Sequence, residues 1–216
     1  MLNPGFVTRK ALAQWQDIPV FLPQFQFHER HQTVIKTHSP EKILPLIATF
    51  DIQQDAVIRL LMSVRQLPQK FRRNKQHQTV SSFGLDSFTL LEKSASELCY
   101  GLRGQFWRAD FGLENVPDTD AYLAPVMPGS AKLLLRYRVK KVEEGHYELQ
   151  TETFIYCPDQ ATQLKMAAYW LAGRFGVLAQ PTSSNATSND AYFNMSSFPV
   201  RYRVIHDIIE PGRRYS

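Results

Sequence analysis

The charged residues near the middle of two predicted strands are the first candidates for chemistry. Glu152 lies between two threonines, and Arg136 and Arg138 lie in the strand before it. A carboxylate beside guanidinium groups forms an ion pair at a surface, or it anchors the polar end of a ligand inside a cavity. We favour the surface ion pair of Glu152 and Arg136. In the alternative, Arg136, Arg138 and Glu152 line a cavity together with Arg103 from a neighbouring strand.

The other reactive side chains give weaker signals. His28 and His31 are three positions apart on a predicted strand, so they point to opposite faces and do not share a metal ion. Asp118 and Asp120 lie in a loop sequence that is typical of a solvated turn. The chain has 2 cysteines, with no Cys-x-x-Cys pair and no Gly-x-Ser-x-Gly motif. We therefore predict no metal site and no cofactor, and we interpret both cysteines as reduced, half-buried thiols.

A β-hairpin positions the central charges. Residues 131–141 and 147–156 alternate apolar and polar side chains around a turn at 143–145, where Gly145 can adopt positive φ in a three-residue loop. This loop places the following pairs opposite each other: Leu135 and Thr153, Arg136 and Glu152, Tyr137 and Thr151, Val139 and Leu149, and Val142 and His146. One face is then apolar and the other polar, which predicts an antiparallel sheet covered on one side.

The remaining patterns predict an α+β domain. We expect helices over residues 8–15, 40–49 (with Ser39 as the N-cap), from 52 or 55 to 66, and 159–171, strands over 25–36, 88–93 and 97–107, and a loop over 109–130. In the last helix, Leu164, Ala168 and Leu171 are predicted to face the sheet. Residues 1–22 are predicted as an N-terminal arm, 23–178 as the domain and 179–216 as a polar tail, in which 180–190 have few apolar side chains and 202–209 suggest a late strand.

Composition excludes several classes of protein. The 216 residues suit one domain, and 44% hydrophobic residues provide a sizeable core. The net charge of +5 is partly due to a polar run at 70–78, which is typical of a solvated loop, so we predict no nucleic-acid partner. No apolar run approaches roughly 18 residues, and the N-terminus lacks a leader pattern. We therefore expect a cytoplasmic protein without a membrane span. Its oligomeric state is left open.

Four short pieces of the chain, taken in order, carry a family resemblance. They are Leu22 and Pro23 before a first strand that contains His31, the sequence GLRGQFW at 101–107, the sequence LQTET at 149–153, and Tyr169 and Trp170 in the last helix. Together they resemble the START/Bet v 1-like superfamily, also called SRPBCC, and within it an uncharacterised bacterial branch. The resemblance implies a helix-grip fold, in which an antiparallel sheet wraps around a C-terminal helix.

The same resemblance implies that the domain binds a small apolar or amphipathic ligand between sheet and helix. A cyclase-type or hydratase-type enzyme in the same cavity, and an interaction domain without a ligand, are the alternatives. The cavity is expected to open near the loop at 109–130. The predicted ligand-binding residues are Arg103, Trp107, Leu135, Tyr137, Glu152, Ala168 and Trp170.

Overall fold

A computed structural model describes residues 5–49, 87–108 and 110–178 of the chain. Its helices are α1 (Arg9–Ala13), α2 (Ile43–Thr49, after a 3₁₀ turn at Pro40–Lys42), α3 (Thr119–Leu123) and α4 (Gln160–Leu178). Its strands are β1 (Phe27–Lys36), β2 (Thr89–Lys93), β3 (Glu97–Gly104), β4 (Ala131–Glu143) and β5 (His146–Tyr156). The helix predicted at 55–66, the basic run at 70–78 and the tail predicted at 179–216 lie outside the described residues.

The strands form a single antiparallel sheet in the order β1-β5-β4-β3-β2. This confirms the α+β class. The predicted hairpin register is also confirmed, because Leu135 pairs with Thr153 and Val139 with Leu149. Near the turn the prediction is wrong: the register shifts after Lys141, so that Glu143 rather than Val142 pairs with His146. Gly145 has φ 71°, the left-handed conformation that the turn requires.

Helix α4 packs on the sheet face that carries the larger apolar core. The ring of Trp170 lies 5.7 Å from that of Phe27, and Met166 and Tyr169 are buried in the same cluster. This stripe, spaced by three and four residues, is one apolar side of the helix. The prediction that the stripe of Leu164, Ala168 and Leu171 faces the sheet is wrong, because Leu164 is 72% exposed and Ala168 is exposed. The aromatic stripe is buried because its large rings remove more apolar area from water.

The opposite sheet face is also covered, which corrects the expectation of a sheet open on one side. Leu134 and Phe154 point to this face and pack with Leu22 and Phe25, which precede β1. Further residues of the N-terminal arm are partly buried against this second cluster: Val7, Leu12, Trp15 and Phe21. The arm therefore contributes to a second, smaller core.

Helix α3 covers a different part of the same, arm-facing sheet face. It lies within the segment at 109–130, which is predicted as a loop. Its Tyr122 is fully buried and donates a hydrogen bond to the carbonyl of Leu133 at 3.2 Å. The ring lies directly over Gly101, where an added Cβ would lie 2.5 Å from a ring carbon. Asp118, predicted in a solvated turn, is the N-cap of α3 and accepts a hydrogen bond from the amide of Ala121 at 2.8 Å.

Candidate functional site

The Glu152 carboxylate is the centre of a buried ionic network. Its Oε1 accepts hydrogen bonds from His28 Nε2 at 3.1 Å and Arg30 Nε at 2.8 Å. Its Oε2 accepts from Arg136 Nε at 3.0 Å. The side chains of Glu152 and Arg136 are only 1% and 2% exposed, so the interpretation as a surface ion pair is wrong.

Strand order explains how this carboxylate is surrounded. Glu152 lies on β5, with Arg30 of β1 directly opposite on one side and Arg136 of β4 directly opposite on the other. His28 lies two positions from Arg30 and therefore points to the same face. Its ring packs between Trp15, at 4.7 Å, and Phe154, at 4.8 Å. The cross-strand register thus brings three donors to one carboxylate.

The N-terminal arm adds a second carboxylate to the network. Asp17 Oδ2 accepts from Arg136 Nη2 at 3.1 Å, and the same oxygen forms an ion pair with Arg138 Nη1. The second oxygen of Asp17 lies 3.3 Å from Arg138 Nη2. Glu97 of β3 accepts from Arg138 Nε at 3.0 Å. Three guanidinium groups therefore face three carboxylates.

The electrostatics of the network favour the ionised forms of Glu152 and Asp17. Burial alone raises the pKa of Glu152, but the hydrogen bond from His28 and the charge of Arg136 outweigh it and lower the pKa to about 2. The hydrogen bond from Arg138 lowers the pKa of Asp17. A carboxylate with so low a pKa is a weak general base at neutral pH. The network is therefore suited to holding the arm on the sheet rather than to moving a proton.

The low pKa of Glu152 predicts loss of stability in acid. A group whose pKa falls on folding, here from 4.5 to about 2, stabilises the folded state above the unfolded-state pKa and loses that effect as pH falls through the folded-state pKa. We expect the free energy of unfolding to drop by about 3 kcal/mol between about pH 5 and pH 2 through this group. Urea unfolding measured at pH values across this range tests the expected drop in the free energy of unfolding. Glu152→Gln should show a shallower decline, and an equally steep decline would contradict the assignment.

A second group of polar side chains lies on the helix-facing side of the sheet. Two adjacent cross-strand rows contain Tyr100, Leu135, Thr153 and Glu29 in one row and Leu98, Tyr137, Thr151 and His31 in the next. We call their six polar members the polar band: Glu29, His31, Tyr100, Tyr137, Thr151 and Thr153. The neighbouring row is wholly apolar, with Leu102, Leu133, Ile155 and Phe27. Within the band, His31 Nε2 lies 3.5 Å from Glu29 Oε1.

The structure distributes the predicted ligand-binding residues over two sheet faces. Leu135, Tyr137 and Trp170 are buried in the helix-facing core, and Trp107 is partly buried against it. Ala168 lies on the exposed side of α4. Glu152 and Arg103 lie on the arm-facing side. The two histidines point to opposite faces, as the sequence predicts, since His28 pairs across with Phe154 and His31 with Thr151.

Arg103 has a structural role at the end of α3. Its Nη1 donates to the carbonyls of Ala121 at 2.8 Å and Ala124 at 3.3 Å, and its Nε lies 2.9 Å from a carboxylate oxygen of Glu114. Lys132 Nζ donates to the carbonyl of Leu123 at 3.1 Å, and burial, with the nearby charge of Arg103, lowers its pKa to about 8. Both cations thus satisfy carbonyls that a helix C-terminus leaves unpaired.

One cluster in the described part of the chain has the donor types of a metal site. The ligand atoms of Glu92, Glu97 and Cys99 lie within 4.8 Å of one another. Glu97 is already paired with Arg138, and the Cys99 thiol donates to Glu97 at 3.3 Å. Burial raises the pKa of Cys99, which disfavours the thiolate that binds metal. Glu97 and Cys99 therefore already have partners within the protein.

Compared with known proteins, the chain matches no family model, no curated protein and no solved structure. The resemblance to the START/Bet v 1-like superfamily therefore stays a prediction. In the part of the chain that the structure describes, no helix is both long enough and apolar enough to cross a membrane.

Proposed function

We propose that this domain binds a small amphipathic ligand between the sheet and α4, in the manner of a helix-grip fold. The single observation that carries the proposal is the polar band beside a wholly apolar row on the helix-facing side. Ligand sites are mostly apolar with a few well-placed polar groups that fix orientation. The band and the row together have this character.

The packing of α4 supports the same location. Met166, Tyr169 and Trp170 of the helix are buried in the same core cluster as the apolar row, and Trp170 contacts Phe27 at the end of that row. The apolar part of a ligand would then lie along the row, against Trp170. Its polar end would meet the hydroxyl groups of Thr151 and Thr153, which are buried on β5.

One observation favours an enzyme as the second candidate. Glu29 and His31 form a carboxyl and imidazole pair at 3.5 Å on the same face as the polar band. Such a pair serves general acid–base chemistry when a substrate lies within hydrogen-bond reach. A hydratase-type or cyclase-type reaction would use it. Loss of turnover in His31→Gln with binding retained would distinguish this candidate from a binding module.

Binding of defined probes tests the proposal. Native mass spectrometry of the purified protein detects any co-purifying small molecule. Fluorescence titration measures the affinity of the protein for a fatty acid probe and for uncharged pyrene. Replacing Thr151 and Thr153 by valine keeps their shape but removes both hydroxyls. We expect about tenfold weaker fatty acid binding, since a hydrogen bond contributes roughly 0.5–1.5 kcal/mol, and unchanged pyrene binding.

Thr33→Val is the matched control, because Thr33 lies on the same side of β1 but outside the polar band, opposite Leu149. It should leave the affinity for both probes unchanged. The absence of saturable binding by the unmodified protein, together with a mass that corresponds to the chain alone, would contradict the proposal. That result would favour an interaction domain with a filled core.

A further inference from the structure

The arm-facing surface presents two arginines to one carboxylate that comes from elsewhere in the chain. Arg136 and Arg138 are two residues apart on β4, so their side chains share a face. Both contact Asp17, and Arg138 does so through both terminal nitrogens. Two guanidinium groups that converge on one oxyanion form the arrangement by which proteins bind carboxylate and phosphate groups.

Among the residues that form ion pairs in this network, the charges do not balance without Asp17. Arg30, Arg136 and Arg138 carry three positive charges, and Glu97 and Glu152 supply two negative ones. Asp17 provides the third carboxylate. Its side chain is 40% exposed, so the position of its carboxylate is reached directly from solvent, while Arg136 and Glu152 lie buried beneath it.

The segment that carries Asp17 is held mainly by partly buried side chains (Val7, Leu12, Trp15 and Phe21), whereas Leu22 and Phe25, which follow it, are buried. We call residues 5–21 the strap. Its helix α1 has no buried residue. The strap is attached to the edge of β1 by backbone hydrogen bonds from Val7 to Gln26 and from His28 to Gly5, both 2.8 Å. Segments with few fully buried side chains open locally at a lower free energy than the core does.

The chain after the strap is firmly anchored. Leu22 and Phe25 are buried in the second core, and two prolines, Pro19 and Pro23, border this transition. The strap (residues 5–21) can therefore open while β1–β5 stay paired, because it contributes to none of their strand pairs, and it would then uncover one side of the second core. Its opening removes Asp17 and exposes the two arginines.

We propose that Arg136 and Arg138 form an oxyanion-binding site for phosphate or a phosphate ester, which Asp17 occupies from within the chain and from which a competing phosphate displaces the strap. The site lies on the sheet face opposite the polar band. It therefore does not depend on the proposed function.

Titration of inorganic phosphate into Asp17→Ala, at constant ionic strength maintained with chloride, tests the site. The substitution empties the position of the carboxylate, so we expect phosphate to bind at least about tenfold more tightly than to the unmodified protein. Adding Arg138→Ala should abolish the gain. A phosphate monoester is titrated in parallel. Binding of either ligand supports the site, and the tighter ligand shows whether the site takes free phosphate or a phosphate ester. Binding of neither ligand overturns the proposal.

Asp110→Ala is the matched control. Asp110 forms a two-fold hydrogen-bonded pair with Arg108, with both distances 2.8 Å, and its removal also leaves a guanidinium exposed. This variant should bind phosphate no better than the unmodified protein. Equal binding by Asp17→Ala and Asp110→Ala would show a nonspecific charge effect and would overturn the proposal.

Hydrogen–deuterium exchange of the unmodified protein tests the strap without any substitution, so it remains decisive if Asp17→Ala does not fold. We expect the amides of residues 6–16 to exchange several-fold faster in phosphate than in chloride of equal ionic strength, while β4 and β5 are unaffected. If the amides of the strap exchange only as slowly as those of β4 and β5, the strap opens only when the whole domain unfolds. That result would overturn the proposal that phosphate displaces the strap.

Discussion

Glu152→Gln should lower the free energy of unfolding by about 3 kcal/mol at neutral pH. Glu152 and Arg136 are 1% and 2% exposed, and removing one partner of a buried ion pair leaves the other charge without compensation, which costs roughly 3–5 kcal/mol. We expect the lower end of this range because Asp17 still contacts Arg136. Urea unfolding followed by circular dichroism measures the difference.

Glu144→Gln is the control for this prediction. Glu144 also pairs with a cation, Lys141, at 2.8 Å, but its side chain is 95% exposed. Exposed pairs of this kind contribute little, so the substitution should leave the stability nearly unchanged. Similar losses in the two variants would show that burial of Glu152 has no energetic consequence.

A double-mutant cycle separates the ion pair from its surroundings. Arg136→Met alone leaves Glu152 with two cationic or hydrogen-bonding partners, His28 and Arg30. Combined with Glu152→Gln, it removes both buried charges at once. The double variant should therefore lose less stability than the sum of the two single variants, because neither remaining side chain carries an unpaired buried charge. Strict additivity would contradict a direct coupling.

The hairpin could be predicted from the sequence because its determinants are local. Alternating side chains fix which residues share a face, and the turn glycine fixes the register, so the pairing of Arg136 with Glu152 follows from about 25 residues. The burial of that pair could not be predicted. The pair is covered by the N-terminal arm, whose Asp17 contacts Arg136 from 119 residues away in the chain, and a polar strand face gives no signal of what covers it.

The candidate site also contains some residues whose placement follows from local sequence patterns and others whose placement depends on distant parts of the chain. The face shared by Leu135 and Tyr137 was predicted correctly, since strand periodicity determines it. The placement of Arg103 was not predicted, because its partners are carbonyl groups at the end of α3. This helix lies in a segment that contains three prolines and is predicted as a loop. His28 and Arg30 share a face by periodicity, but only the β1–β5 pairing brings them to Glu152.

The last helix shows where periodicity is ambiguous. Leu164, Ala168 and Leu171 are spaced as a helical stripe, and so are Thr162, Met166 and Trp170. Spacing alone therefore allows either side to face the sheet. Side-chain size decides between them, since burying the rings of Tyr169 and Trp170 with the thioether of Met166 removes more apolar surface from water than burying one alanine and two leucines.

Trp170→Ala should consequently be among the most destabilising single changes in this helix, with a loss of about 3–5 kcal/mol in the free energy of unfolding. Trp170 is 1% exposed and lies against Phe27 at the end of the apolar row, so its removal leaves a cavity in the core. Leu164→Ala is the matched control. Because Leu164 is 72% exposed, it should lose no more than about 0.5 kcal/mol. Thermal and urea unfolding of the two variants measure the contrast directly. The reverse order of stabilities would mean that α4 is rotated about its axis, with Leu164 and Ala168 on the sheet, and would remove Trp170 from the proposed ligand site.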